Sequence, residues 1–167
     1  MPYHLIPMNA EYAKTITTTW AYGGQFAIYD YTKPDEAAHV SDPGNWGTRV
    51  FAVLDGAGDL IGECTITRDL DPDDELWFGF GLRPNLTGQG RGPEFVDACV
   101  KFAVDFHQYP GEFIRLGVAA FNKRAIRCYQ KAGFEEFRRH TGEWGEFKGL
   151  EIIHMRKKIT SFGPPSA

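Results

Sequence analysis

The stretch Leu82-Arg83-Pro84-Asn85-Leu86-Thr87-Gly88-Gln89-Gly90-Arg91-Gly92 constrains the fold more than any other. An apolar run from Glu75 to Leu82 precedes it, and an amphipathic run from Pro93 to His107 follows. A strand therefore passes into a helix through three alternating glycines. Such glycines let successive backbone N–H groups turn toward one point. The helix start adds unpaired donors and the positive end of its dipole. Together these features make a seat for an anion, most often a phosphate. Two nucleotide fingerprints are excluded. The third glycine slot of G-x-G-x-x-G is Pro93, and no G-x-x-x-x-G-K-S/T occurs anywhere.

The pattern around this stretch gives the order of elements. Tyr3 to Pro7 reads as a first strand, and Asn9 caps a helix to about Thr19, whose end Thr17, Thr18 and Thr19 weaken. Trp20 to Tyr31 is an aromatic segment broken by Gly23 and Gly24, either a loop pinned to the core by its rings or a mobile pocket wall. A brief helix over Pro34–Val40 leads to a hairpin of Thr48–Leu54 and Leu60–Arg68 around Asp55-Gly56-Ala57-Gly58-Asp59. The strand Glu75–Leu82 and the glycine loop come next. In the helix from Pro93, the residues Phe95, Cys99, Phe102, Ala103 and Phe106 share one face. Phe113–Ala119 is a strand, Asn122 caps a helix that stops at Gly133, and Phe134–His140 and Leu150–Lys157 close the sheet. Residues 141–148 read as a loop. The class is α+β, a mixed, mostly antiparallel central sheet flanked by helices. We expect a single domain over 1–158 and a frayed tail over 159–167.

A net charge of −4 argues against a nucleic-acid partner, which needs a basic face. Cys64, Cys99 and Cys128 have no C-x-x-C spacing and read as reduced thiols of a cytoplasmic protein. No leader and no membrane span is expected. The five histidines lack metal-ligand spacing. Asp69, Asp71 and Asp73 imitate a calcium loop, but its glycine slot is Asp74 and its twelfth position is Phe80, so a solvated turn is expected. No metal is expected.

Two segments carry a resemblance to a known family. Thr87-Gly88-Gln89-Gly90-Arg91-Gly92 resembles the acyl-CoA loop of the GNAT superfamily of N-acetyltransferases, written R/Q-x-x-G-x-G/A. The run from Asn122 through Ala125, Tyr129 and Gly133 to Phe134 resembles its second motif, N-x-x-A/S-x-x-x-Y-x-x-x-G-F, with all five residues at the expected offsets. Together with the element order, the similarity covers roughly Val50 to Arg156. It implies a sheet in which two parallel strands, here Glu75–Leu82 and Phe113–Ala119, splay apart to admit acetyl-CoA. The pantetheine arm would pair with backbone at Phe80 and Leu82. The diphosphate would sit over Thr87, Gly88, Gln89, Gly90, Arg91 and Gly92, near Asn122, with Lys123 or Arg124 at the adenosine phosphates. Thr87 departs from the motif's Arg or Gln, which leaves the diphosphate mainly to backbone donors. Some relatives place a glutamate where this chain has Gly117.

The resemblance also implies a reaction, direct attack of a primary amine of a small molecule or peptide on the thioester. At pH 7, deprotonating a lysine-like amine costs about 4.6 kcal/mol, against about 1 kcal/mol for an α-amine. The family's hydroxyl donor to the leaving thiolate falls on Tyr129. For the base three readings stand: Glu63 inside its strand, Glu75 at a strand start, or an ordered-water relay. A non-catalytic acyl-CoA sensor or interaction module on the same fold is the alternative. Edge pairing or exchange of the last strands would give a homodimer.

Overall fold

The computed structural model describes residues 2–68 and 75–159. The chain runs β1 (His4–Pro7), α1 (Ala10–Thr19), a 3-10 helix over Gly24–Tyr29, α2 (Pro34–Ser41), β2 (Val50–Leu54), β3 (Leu60–Thr67) and β4 (Leu76–Leu82). After the glycine loop come α3 (Gly92–His107), β5 (Phe113–Ala119), α4 (Lys123–Lys131), β6 (Glu135–Trp144) and β7 (Phe147–Lys158). The acidic run expected as a solvated turn lies, apart from Glu75, outside the described residues, and so does nearly all of the tail.

The strands form one sheet in the order β1-β2-β3-β4-β5-β7-β6. Every pair is antiparallel except β4 with β5. This is the expected α+β architecture. Alternation along the strands gives the sheet two packed faces. Phe51, Val53, Cys64 and Ile66 face α3 in one core, and Val50 and Ala52 join Ile16, Tyr31 and Val40 in a second core under α1 and α2.

Local chemistry sets the element ends. The Asn9 side chain accepts from Tyr12 N–H at 2.9 Å and starts α1. Its last turn nonetheless includes Thr17, Thr18 and Thr19, whose hydroxyls donate back to carbonyls four residues earlier, and the Trp20 N–H closes it by donating to Ile16 O. The Asp55 carboxylate accepts from Ala57 and Asp59 N–H and ties the β2–β3 turn. Asn122 caps α4 by accepting from Ala125 N–H at 3.1 Å.

The last hairpin corrects the sequence reading. Residues 141–148 are not a loop: β6 and β7 continue pairing to Trp144↔Phe147, and only Gly145 and Glu146 make the turn. Gly145 supplies the positive φ that a two-residue hairpin turn needs. Backbone pairing, which no side-chain pattern records, carries the strands out to that point. The tip is held against α2 by Lys33, which pairs with Glu146 at 3.0 Å and lies 4.0 Å over the Phe147 ring.

Close packing on β3 depends on Gly62. A Cβ there would stand 2.3 Å from Phe95 Cε2 and 3.0 Å from the Gly81 carbonyl. Gly62→Ala should therefore lower stability by about 1–3 kcal/mol, the usual cost of overpacking. The check is a lower denaturation midpoint at unchanged m; an unchanged midpoint would contradict the packing described.

Candidate active site

The site begins where β4 leaves β5. The two pair in parallel only from Leu76↔Ile114 to Phe78↔Leu116. Beyond that β4 keeps its bonds to β3 and β5 keeps its bonds to β7. Arg83 N–H donates to Ile61 O at 2.8 Å. Alternation along the antiparallel ladder then turns the backbone groups of Phe80 and Leu82 away from β3 and into the gap. The gap opens into a cleft of about 770 Å³.

Two tyrosines from the aromatic segment before α2 occupy the freed backbone groups. The Tyr22 hydroxyl donates to the Leu82 carbonyl at 2.7 Å. The Tyr29 hydroxyl accepts from Ala119 N–H on β5 at 3.3 Å. The segment is thus both pinned and part of the pocket wall, and Trp144 stacks edge-on against Tyr29 at 5.3 Å. The Leu82 carbonyl, which the sequence reading assigns to the pantetheine arm, already has a partner.

One end of the cleft suits an anion. Gly88 and Gly90 have φ of 74° and 78°. Among the described residues, the N–H groups of Gly88, Gln89, Gly90 and Arg91 take no backbone acceptor. No side chain caps the N-terminus of α3. Arg124, Arg127 and Lys131 line this end from one face of α4. A Cβ on Gly92 would meet Cys128 Sγ at 2.5 Å, so with that thiol where it stands α3 and α4 approach closely through a glycine. Thr87 lines the cleft, but its hydroxyl donates to Pro84 O, and the Gln89 amide donates to Asn85 O. The Thr87 and Gln89 side chains are thus engaged within the loop itself, and neither Gln89 nor Arg91 lines the cleft. Asn122 lines the cleft as a helix cap; Lys123 does not line it, whereas Arg124 does.

The other end is acidic. Glu63 lies on β3 beside Thr65, both facing α2, and is only 2% exposed. Its Oε2 accepts from the Tyr31 hydroxyl at 2.7 Å and its Oε1 accepts from the Thr65 hydroxyl. The Tyr31 ring reaches it by lying over Gly81, where any Cβ would stand 2.0 Å from the phenol oxygen. Burial pushes the Glu63 carboxyl up to about 7, against the opposing pull of its Thr65 and Tyr31 hydrogen bonds. Asp35, Glu36 and His39 of α2 line the same end. Burial also raises the Glu36 carboxyl. Glu75, the other candidate base, is held elsewhere: it pairs with Arg115 and Arg156, each at 3.2 Å, and does not line this cleft. A wide separation along β4 accounts for this, since Glu75 precedes the paired end and the cleft lies at the parted end.

Tyr129 is on the cleft wall, its ring 6.0 Å from Phe80 and 6.1 Å from Phe134. Burial, reinforced by Cys128, Tyr29 and Tyr22, holds its phenol pKa well above the ordinary value, so it remains a hydrogen-bond donor. Cys64 packs against Cys99 in the core, where burial raises its pKa well above the usual thiol value. Sequence reading missed Tyr22, Tyr29, Tyr31, Thr65 and His39 as site residues. Only the crowding of aromatics before α2 signalled the tyrosines. Arg127 and Lys131 could have been found from their helical spacing after Arg124.

A parted pair of parallel strands, an anion seat and a buried carboxylate now stand together, and residues 5–135 match the family model for an acetyltransferase (GNAT) domain. The chain belongs to the GNAT family. Solved GNAT structures share the fold. One is a chimera of the spermidine N-acetyltransferase SpeG from Vibrio cholerae and hSSAT, at 17% identity and TM-score 0.72, with 95% of this chain and 96% of that one covered. Another is a GNAT acetyltransferase from Bacillus anthracis, at 11% identity and TM-score 0.73, with 95% of each chain covered. A third is the Vibrio cholerae spermidine N-acetyltransferase in complex with CoA and spermine, at 17% identity and TM-score 0.66, covering 93% of this chain and 95% of that one. No curated protein sequence matches significantly. No helix among the described residues is long and apolar enough to cross a membrane.

Burial of Glu63 has a consequence for stability. Its folded pKa exceeds the ordinary 4.5, so the folded state binds the proton more tightly. The resulting stabilisation is fully present below about pH 4.5 and is lost as pH rises through about 7. Glu63→Gln, which cannot ionise, should gain on the wild type between pH 4.5 and 7 by on the order of 3 kcal/mol. Parallel denaturant titrations across that range check this, and curves that stay parallel would contradict a buried, titrating Glu63.

Proposed function

We propose that this GNAT protein is an acetyl-CoA-dependent N-acetyltransferase acting on a primary amine of a small molecule or peptide. One observation carries the reading: a single cleft joins a seat of open amides and basic side chains to a pocket floored by a buried carboxylate. The residues fit the coenzyme. Open N–H groups at 88–91, the uncapped start of α3 and Arg124, Arg127 and Lys131 would hold its phosphates. The backbone of Phe80, and that of Leu82 once Tyr22 yields, would hold the pantetheine amides. When bound, the coenzyme supplies an activated acetyl group on sulfur.

The chain's own side chains then have separate tasks. Glu63, ionised above about pH 7, accepts a proton from the incoming ammonium. Its raised pKa narrows the gap to the amine and makes that transfer less uphill than to an ordinary carboxylate. Asp35 and Glu36 favour a cationic acceptor at the same mouth. Tyr129, kept protonated, donates to charge developing on the leaving sulfur. The Vibrio cholerae relative's complex with spermine supports including polyamines among the amines tried. The free thiols Cys64, Cys99 and Cys128 suit a reducing compartment, which supports a cytoplasmic setting.

The test is release of free thiol from acetyl-CoA with a panel of spermidine, benzylamine and a short peptide with a free N-terminus. At least one amine should be turned over, and Tyr129→Phe should lower kcat by about 10²-fold, the lower end for a lost general acid. Tight CoA binding without turnover of any amine would favour the sensor reading instead. The kcat/KM profile should rise with pH through about 7 in the wild type, because the base form of Glu63 accumulates there. In Glu63→Gln that limb should vanish; its persistence would assign the base elsewhere.

A further inference from the structure

Acetyl transfer to an ammonium has a proton balance that the site must meet. The nitrogen gains an N–C bond and loses two protons while the C–S bond breaks. The departing sulfur takes up one proton to leave as a thiol, and the other must leave the protein in each turnover. On the acyl-transfer reading above, on which this inference rests, that second proton arrives at Glu63. Glu63 is 2% exposed, so it has little direct contact with bulk water even though it lines the cleft.

The groups around Glu63 offer one continuous way out. Thr65 lies two residues further along β3, so strand alternation puts it on the same face. Its hydroxyl is hydrogen-bonded to Glu63 Oε1. Thr65 Oγ1 in turn lies 3.4 Å from His39 Nε2, slightly longer than a usual hydrogen bond. His39 sits on α2, half-buried, and lines the cleft mouth. On the other side, the Tyr31 hydroxyl donates to Glu63 Oε2 and, among the described residues, to no other group. Opposite Glu63 and Thr65 on β2 stand Ala52 and Val50, which hold no proton carrier. The titratable groups that line this end of the cleft with His39 are Asp35 and Glu36 from its own helix, Glu63 from β3 and Tyr31 from the segment before α2, and His39 acts electrostatically on Glu36.

We propose that Thr65 and His39 form the proton exit of the site, passing the proton from Glu63 Oε1 through the Thr65 hydroxyl to His39 Nε2 and on to solvent. No group changes oxidation state. Thr65 accepts one proton from Glu63 while giving up its own to His39, and a reorientation of the hydroxyl resets it. Both residues act through Glu63 and are positioning residues rather than catalytic ones. A hydroxyl is required at 65 because a methyl group cannot both accept and donate. An imidazole at 39 suits the exit because one ring nitrogen can accept a proton while the other gives one up.

The experiment uses the full chain, acetyl-CoA and the fastest amine of the panel above. Thr65→Val and His39→Gln should each lower kcat by about 10-fold or more, within the range of lost proton-transfer assistance. Thr65→Ser should restore the rate lost in Thr65→Val. Added imidazole should recover His39→Gln but not Thr65→Val. In the Glu63→Gln background, His39→Gln should cause no further loss, since the two act in one chain. Melting curves identify any variant that has lost its fold, and the imidazole response of His39→Gln remains decisive because a packing defect would not respond. Full activity in His39→Gln, loss without imidazole recovery, or losses that multiply with Glu63→Gln would each overturn the exit. If the wild type acetylates amines while these outcomes occur, only the exit fails; if it acetylates none, the acyl-transfer reading and the exit fail together.

Discussion

The parting of β4 from β5 is the constraint on which the rest of the molecule depends. Two parallel strands that separate inside a sheet leave backbone donors and acceptors without ladder partners. Buried groups of that kind cost free energy comparable to a lost hydrogen bond unless something meets them. Here Tyr22 meets the Leu82 carbonyl and Tyr29 meets Ala119 N–H. The aromatic segment before α2 is thus a wedge whose phenols replace one strand's bonds to the other. A phenol can be withdrawn more readily than a paired strand, so the gap can be stable when closed by tyrosines and open to a ligand.

Two glycines facing opposite ways make that gap usable. Gly62 and Gly81 lie on neighbouring strands, one clearing space for Phe95 of α3 and the other for Tyr31. Phe95 belongs to the α3 core and carries the ring contact to Phe80, which in turn meets Tyr129. Tyr31 belongs to the second core and carries the hydrogen bond to Glu63. The hydroxyl on one face of the sheet and the carboxylate on the other can serve one cleft only because the sheet is open between them. Burial of Glu63 follows from the same packing, and that burial moves its pKa into a useful range.

Much of this was legible in the chain, and the remainder was hidden for physical reasons. Alternating glycines before an amphipathic run, and the spacing from Asn122 to Phe134, are local features, so the loop, both helices and Tyr129 could be read directly. Glu63 stood out because a carboxylate inside an apolar strand needs a partner. The partners themselves were not legible. Tyr31 is 32 residues away along the chain, and its approach depends on Gly81, a residue whose role is to lack a side chain. The extent of β6 and β7 was missed because backbone pairing between polar, exposed residues leaves little hydrophobic period to detect. Glu75 illustrates the opposite error: its charge was visible, but Arg115 and Arg156 claim it only in three dimensions.

The tyrosine wedge bears on where coenzyme affinity would reside. A pantetheine amide that takes the Leu82 carbonyl must displace the Tyr22 hydroxyl, exchanging one hydrogen bond for another. With a net worth of about 0.5–1.5 kcal/mol for each such bond, the exchange is close to neutral. The strand edge would then fix register and direction without contributing much binding energy. Affinity would fall instead to the phosphate end, where open amides, a helix terminus and three cationic side chains act together. Because Arg124, Arg127 and Lys131 are largely at the surface of α4, their share should weaken with salt, while the orientation set by Phe80 and Leu82 should not. Grip and aim would thus reside in different parts of one cleft, the first electrostatic and the second set by the pleat of β4.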